Sequence, residues 1–472
     1  MRKTTTIALT AAASLLALAA AGATLRPDQA IRAATASVAR TLCGEAFVSG
    51  LDPDRSFSEL FTHWPGIRFL QARMLRKIDR AEPSVTVSLG GLFESRAIYR
   101  DSYGCDLEYP GVPDRQAFGS PPPVMAGEAD PWGIAGPDPV EPTDPRLKAA
   151  LDQAFAEPPP GGPQKATKAV VVVHEGRIIA ERYAEGYGID TPLRGFSVSK
   201  SVTNALIGIL VRQGRLKLDA LAPVAAWASP SDPRHAITIE ELLRMTSGLD
   251  LDEINDGFDA NSRMQFSEPD MAGYAERQGL IAAPGTRWSY SSPGYMILSR
   301  IVRDAVGGHA EEVRAFAERE LFTPLGMRQA TMAFDAVGTP VGSSEFYATA
   351  RDWARFGLLY LDDGRVGDRR ILPAGWAAFS ASATPLAEPG YGAGFWTNLG
   401  EAKFAKFRVQ DGMPADSYFA SGSLGQRVVI APAERFVIVR FGRSQDWPSF
   451  DAKGMVRLTA EVNSIVNGPE PR

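Results

Sequence analysis

The sequence predicts a layered α/β (α+β) fold, and two observations carry it. β-rich runs both open and close the main part of the chain, and helical patterns fill the interval between them. Strands supplied from both ends make one sheet that distant segments complete and helices cover. No internal repeat is present.

The opening run, KAVVVVHEGRIIAERYAEG, places two β-rich stretches around His174-Glu175-Gly176. Glycine permits a tight reversal there, so the spacing predicts an antiparallel hairpin. Helical patterns follow at 197–213, 238–245, 293–306, 311–321 and 350–361. The chain then returns to strands in GAGFWTN, SYFASG, GQRVVIAP and RFVIVRFG, and an amphipathic helix, AKGMVRLTAEVNSIV, closes it. Upstream, RFLQARMLRKIDRAE reads as a helix, and SVTVSLGG and SRAIYR read as strands of a small hairpin-like unit. Between these parts the composition turns to proline and glycine, which favours extended backbone, with one short helix at PRLKAALDQAFAE. This stretch is a linker, or an arm laid over the main domain. The expected plan is a signal peptide at 1–23, a small N-terminal domain at 24–110, a linker at 111–164 and the main domain at 165–468.

The signal peptide rests on Arg2 and Lys3, an apolar run from Ile7 to Ala20, and the small-x-small pattern Ala21-Gly22-Ala23. Its alternative is an uncleaved anchor, for which the run is short and rich in alanine. No later segment is apolar enough to span a bilayer, so a periplasmic or secreted protein without a membrane span is expected. Cys43 and Cys105 are the two cysteines, and in an oxidising compartment such an isolated pair predicts a disulfide. They are not CxxC-spaced, and His63, His174, His235 and His309 are scattered, so no metal and no other cofactor is expected. Of the 472 residues, 50 are Lys or Arg against 55 Asp or Glu, a formal charge of −5 that argues against nucleic acid as a partner. No feature fixes an oligomeric state.

Ser197-Val198-Ser199-Lys200 heads a helix whose apolar residues (Val198, Val202, Ala205, Leu206, Ile209, Leu210) recur at helical spacing. Positions three apart emerge on one face, so Ser197 and Lys200 meet. A serine hydroxyl is a weak nucleophile until a neighbour takes its proton, and a desolvated lysine does so. S-x-x-K by itself occurs about once by chance in a chain this long; its place at a helix head raises it. Tyr290, in GTRWSYSSPGYMILSRIV, precedes a Pro-initiated helix and is placed to aim its phenol at Ser197. With Lys200 charged nearby the phenolate is favoured, making Tyr290 a candidate general base. The bland alternative is a core tyrosine. In FASGSLGQRVVIAP a strand ends at Ala420-Ser421-Gly422-Ser423, where small residues let a substrate lie along the edge. The Ser423 N–H pairs there with the Ser197 N–H as a candidate oxyanion hole.

FSVSKSVTNALIG, LLRMTSGLD, WSYSSPGYMILS, FYATARDWARFGLLYLDDG and SGSLGQRVVIAP together resemble the β-lactamase-related serine hydrolases. That family includes class C β-lactamases, DD-peptidases, serine esterases and 6-aminohexanoate-dimer hydrolases. The resemblance runs in the family's order from about Lys165 to Asn467. It implies Ser197 as acylated nucleophile, Lys200 as its partner, Tyr290 as base and Ser423 as an oxyanion donor. It also implies a β-lactamase/transpeptidase-like fold, an antiparallel sheet flanked by helices with a helical subdomain and Ser197 at their junction.

Two departures bear on substrate. Ser292 stands where many relatives carry Asn, and it offers one donor only. Ala420-Ser421-Gly422 stands where β-lactamases and DD-peptidases carry Lys-Thr-Gly, whose lysine helps hold a substrate carboxylate. Losing that contact costs on the order of 1.5–3 kcal/mol of recognition. A neutral ester or amide is therefore the expected small-molecule substrate, with a β-lactam or D-Ala-D-Ala peptide as the alternative; Arg443 is a candidate replacement cation. A Ser-His-Asp triad is the rival mechanism, but no G-x-S-x-G elbow is present. A ligand-binding sensor without turnover is the rival of another class.

Overall fold

A computed structural model describes residues 27–60, 68–112 and 130–468, apart from positions 135, 160, 256 and 447. The segment read as a signal peptide, and His63, lie outside the described residues. Helix α1 (Pro27–Cys43) packs on a four-stranded sheet of β1 (Met74–Asp79), β2 (Ser84–Leu89), β3 (Leu92–Arg100) and β4 (Gly104–Leu107), in that order. A disulfide joins Cys43, at the end of α1, to Cys105 in β4.

The helix expected over 68–82 forms only in its first turn. Only Arg68–Gln71 is helical, and Met74–Asp79 is an edge strand paired antiparallel to β2, with Met74 opposite Leu89. Its charged, exposed Arg76 and Lys77 suit a sheet edge that must not recruit another strand. The same charges mimic the polar face of a helix.

The proline-rich stretch contains α2 (Pro145–Phe155), capped by the Asp144 side chain on the Arg146 N–H. Ahead of α2 the described part of this stretch is an arm pinned to the main domain. The Arg351 guanidinium donates to the Asp138 carbonyl at 2.8 Å, Arg355 pairs with Asp130 at 2.8 Å, and Glu181 N–H bonds Val140 O at 2.8 Å.

The central sheet uses β5 (Thr167–His174) and β6 (Arg177–Tyr183) from the start of the main domain. From its end come β7 (Trp396–Thr397), β8 (Tyr418–Gly422), β9 (Gln426–Ala431) and β10 (Phe436–Gly442). The order is β7-β8-β9-β10-β5-β6, and every neighbouring pair is antiparallel. β5 is Val-rich without alternation because both its faces are covered. Val171 and Val173 join the core under the helices α3 (Ser199–Arg212), α4 (Ser292–Val306) and α5 (Ala350–Leu361). Val170 and Val172 face α2 and α6 (Ala452–Asn467) on the other side. Of the predicted closing strands, GAGFWTN supplies only the two residues of β7. Among the described residues no helix is long and apolar enough to cross a membrane.

Candidate active site

The helix expected to start at Ser197 begins two residues later. Ser197 lies in a 3-10 turn, Phe196–Val198, that leads into α3. Phe196 has φ +46°, a left-handed conformation that costs a residue with a Cβ about 1–3 kcal/mol. The turn is held from both sides. Gly195 N–H bonds Phe346 O at 2.7 Å, and the Arg194 guanidinium lies 4.2 Å from the centroid of the Phe196 ring.

One turn into the helix, Lys200 is 1% exposed. Its Nζ is 3.0 Å from Ser197 Oγ, 2.8 Å from Ser292 Oγ and 3.1 Å from Ser343 O. All three are oxygens of neutral groups. Burial therefore penalises the ammonium and pulls Lys200 down from its ordinary value to about 8, against a smaller opposing pull from the Glu253 carboxylate.

Tyr290 lies against Ser197, whose hydroxyl bears on its phenol. Its ring stacks on Trp396 at 5.7 Å and meets Tyr391 edge-on at 6.1 Å, with Lys200 Nζ 4.8 Å from its centroid. The expected phenolate is not what these surroundings favour. Burial raises the Tyr290 phenol well above its ordinary value, with Tyr391 and Glu253 adding to it, and the nearby Ser197 hydroxyl and the charge on Arg427 only partly oppose this. Lys200 sits over the ring, where it acts on the π face. The hydroxyl is thus a neutral donor and acceptor, and Lys200 is the group whose proton is loosely held.

Ser292 opens α4 behind the N-cap Ser291 and is buried. Its hydroxyl meets Lys200, and its N–H donates to Glu253 Oε2 at 2.9 Å. The opposite wall is the end of β8. Gly422 abuts the nucleophile's turn so closely that a Cβ there would collide with Gly195 O and lie 3.1 Å from Ser197 N. The next residue, Ser423, is exposed and Ser421 half-buried. The structure thus brings Ser197, Lys200, Tyr290, Ser292 and the Ser421–Ser423 edge together.

Arg443 is not at this site. Its guanidinium forms an ion pair with Glu45 and lies 3.6 Å from Glu59, so it ties the N-terminal unit to the main domain. Glu253, Ser343, Tyr391, Trp396 and Arg427 escaped the sequence reading. Ser343 contributes a backbone carbonyl, which leaves no mark in the side-chain sequence. Trp396 was legible only as a strand residue. Glu253 belongs to a charged loop, DLDEIND, that reads as solvated. His235 bonds Trp227 O at 2.8 Å, and no histidine among the described residues bonds Ser197. Nor do the described residues gather three or more His, Cys, Asp or Glu side chains suited to a metal.

Residues 153–461 match the family model described as Beta-lactamase. The 6-aminohexanoate-dimer hydrolase of Paenarthrobacter ureafaciens is 25% identical over 332 residues, covering 67% of this chain and 82% of that protein. Penicillin-binding protein 4 of Amycolatopsis lactamdurans is 29% identical over 278 residues, covering 56% of this chain and 64% of that protein. Among solved structures, a penicillin-binding protein homologue from Caulobacter crescentus shares the fold at TM-score 0.52 and 19% identity, over 69% of this chain and 99% of that one. A match spanning well over half the sequence, on an antiparallel sheet with Ser197 in a turn beside it and Lys200 in the helix that follows, fixes the relationship: the chain belongs to the beta-lactamase family of serine hydrolases.

Proposed function

We propose that this protein hydrolyses a neutral ester or amide through an acyl-enzyme on Ser197. The carrying observation is the 3.0 Å contact between Ser197 Oγ and a buried Lys200 whose other partners are neutral oxygens. When Lys200 is neutral, two N–H groups serve Ser292 and Ser343, and the lone pair accepts the Ser197 proton. Ser197 Oγ then attacks the substrate carbonyl carbon. The backbone N–H groups of Ser197 and Ser423 stabilise the oxyanion. As the bond from carbonyl carbon to the leaving oxygen or nitrogen breaks, the proton passes from Lys200 to the leaving group, with Tyr290 as the relay between them. Water attacks the acyl-enzyme by the reverse proton path and releases the acid.

Substrates without a carboxylate are favoured because Ala420 is buried where the family's lysine stands, and Arg443 is engaged by Glu45. The 6-aminohexanoate-dimer hydrolase relative supports an acyl substrate outside the β-lactams. The N-terminal 23 residues act as a cleaved signal, and the Cys43–Cys105 disulfide agrees with an oxidising destination. N-terminal sequencing of the secreted protein checks this.

The test pairs a fluorophosphonate probe with a chromogenic short-chain ester. Labelling and turnover in the wild type, both lost in Ser197→Ala, are expected. Their absence in the wild type overturns the enzyme reading, and labelling without turnover supports a sensor. Turnover of a chromogenic cephalosporin at the rate of the best ester overturns the carboxylate argument.

A further inference from the structure

Two residues of α1 reach the back of the catalytic turn from outside the family-matched span 153–461. Arg40 is 2% exposed, and its Nε lies 3.2 Å from Glu345 Oε1. Its two terminal nitrogens bond the carbonyl and side-chain oxygens of Gln265 at 3.0 and 2.9 Å. Glu345, 1% exposed, also forms an ion pair with Arg194, and Arg194 Nη1 bonds Thr41 Oγ1 at 3.1 Å. One buried carboxylate thus sits between two guanidiniums, one from α1 and one from the segment that carries the nucleophile.

What this array holds is the site itself. Arg194 stacks on Phe196, whose left-handed backbone sets the direction of Ser197. Glu345 follows Ser343, whose carbonyl receives Lys200 Nζ, by two residues, and Phe346 O receives Gly195 N–H. The close packing continues just beyond the end of α1: a Cβ at Gly44 would collide with the Tyr347 hydroxyl, which itself bonds Glu345 at 3.3 Å. A strained turn persists only where its surroundings over-determine it. Here those surroundings include a helix that the matched family span does not contain.

We infer that the N-terminal unit is a positioning element of the catalytic centre, with Arg40 and Thr41 holding Glu345 and Arg194 so that Ser197 and Ser343 stay in register with Lys200. Arg40, Thr41, Arg194 and Glu345 touch no reacting atom and act through Phe196 and Ser343. This rests on the acyl-transfer reading above. It differs from simple docking, because the same unit is anchored elsewhere by Lys168 Nζ on Glu59 at 2.9 Å.

The experiment measures the second-order rate of fluorophosphonate labelling, kcat and KM for the ester, and near-ultraviolet circular dichroism, all on the full chain. Arg40→Met is expected to slow labelling and kcat by about tenfold or more with KM within twofold, because acylation needs an aligned Ser197. Arg40→Lys restores at least a third of the rate. Lys168→Met lowers thermal stability and leaves the labelling rate unchanged. Should Arg40→Met fail to fold, Thr41→Val, which removes only the bond to Arg194, carries the test with an expected loss of about threefold. A folded Arg40→Met or Thr41→Val that labels at the wild-type rate overturns the inference, as does an equal slowing in Lys168→Met. If the wild type itself does not label, the acyl-transfer reading fails instead, so the two failures are distinct.

Discussion

Lys200 is a buried cation and Arg194 a mostly buried one on the same stretch of chain, and their surroundings differ in charge. Arg194 faces the carboxylate of Glu345, which Arg40 and the Tyr347 hydroxyl also meet. Lys200 faces three neutral oxygens, and the carboxylate whose charge reaches it, Glu253, contacts the N–H of Ser292. A buried charge that is paired and hydrogen-bonded serves as structure; one left without a counter-charge gives up its proton readily. The scaffold and the chemistry of this site are the same physical problem solved in two ways. The counter-charge fixes Arg194 in place, and the lack of a paired one lets the Lys200 ammonium yield its proton.

The widest test of that contrast replaces each cation by methionine, which removes the charge and leaves an unbranched apolar side chain, one atom shorter than lysine and shorter still than arginine. Lys200→Met is expected to lose 10³-fold or more in ester turnover, within the range of general acid–base effects of about 10²–10⁴ and the further loss of nucleophile activation. It is nevertheless expected to be more stable than the wild type at pH 7, by about 1–3 kcal/mol. Lys200 in the folded protein titrates near 8, below its ordinary value of 10.5. The unfolded chain therefore binds more protons than the native one between those values. The penalty is fully present below pH 8, and wild-type stability rises as pH climbs from about 8 to 10.5, a rise that Lys200→Met lacks. Arg194→Met is expected to lose about 1.5–3 kcal/mol, because it removes a charged hydrogen-bond partner from the buried Glu345, which keeps Arg40. Denaturant melts at pH 7 and pH 10 decide it. A methionine at 200 that destabilises as much as one at 194 would break the distinction.

A second test contrasts the two sides of the β8 edge. Gly422→Ala puts a methyl against Gly195 O and Ser197 N, so strand and turn must part. A displacement of that size costs on the order of 10²-fold in acylation. Ser423→Ala keeps the backbone N–H and is expected to stay within about threefold of wild type. Values of kcat/KM for the ester measure both. A crippled Ser423→Ala would move the role from the amide to the hydroxyl.

The layered fold was legible because its signals are local. Four consecutive valines in β5 and the amphipathic α6 state their burial directly, and strands at both ends imply a shared sheet. Ser197 and Lys200 were legible for a related reason, since positions three apart meet on one side of a helical turn and the apolar pattern placed that turn at a helix head. Tyr290 was found as a residue and misjudged in state. Nearness to Lys200 argued for the phenolate, whereas burial, which the sequence does not quantify, dominates its electrostatics. Met74–Asp79 was misread because an edge strand carries the charges of a helix face. Arg443 was misplaced because its partner, Glu45, lies about four hundred positions away in sequence. Contacts at that range leave no periodicity to read.

Glu253 supplies the finest test, because it is the carboxylate that partly offsets the burial of Lys200. Its charge pulls Lys200 upward while desolvation pulls it down, and it also raises Tyr290 and Tyr391. Glu253→Gln keeps an oxygen for the Ser292 N–H and removes the charge. The acid limb of the kcat/KM profile, which reports Lys200 losing its proton in the free enzyme, is then expected to move to lower pH by about half a unit to one unit. Relative activity at pH 6.5 therefore rises even if the plateau rate falls. The tyrosines move in the same direction, but from well above the assayed range, so they leave this limb alone. Profiles between pH 5.5 and 9.5 for wild type and variant measure the shift. A limb that stays in place, or moves to higher pH, shows that Glu253 does not act on Lys200, and the comparison with Arg194 would then have to rest on desolvation alone.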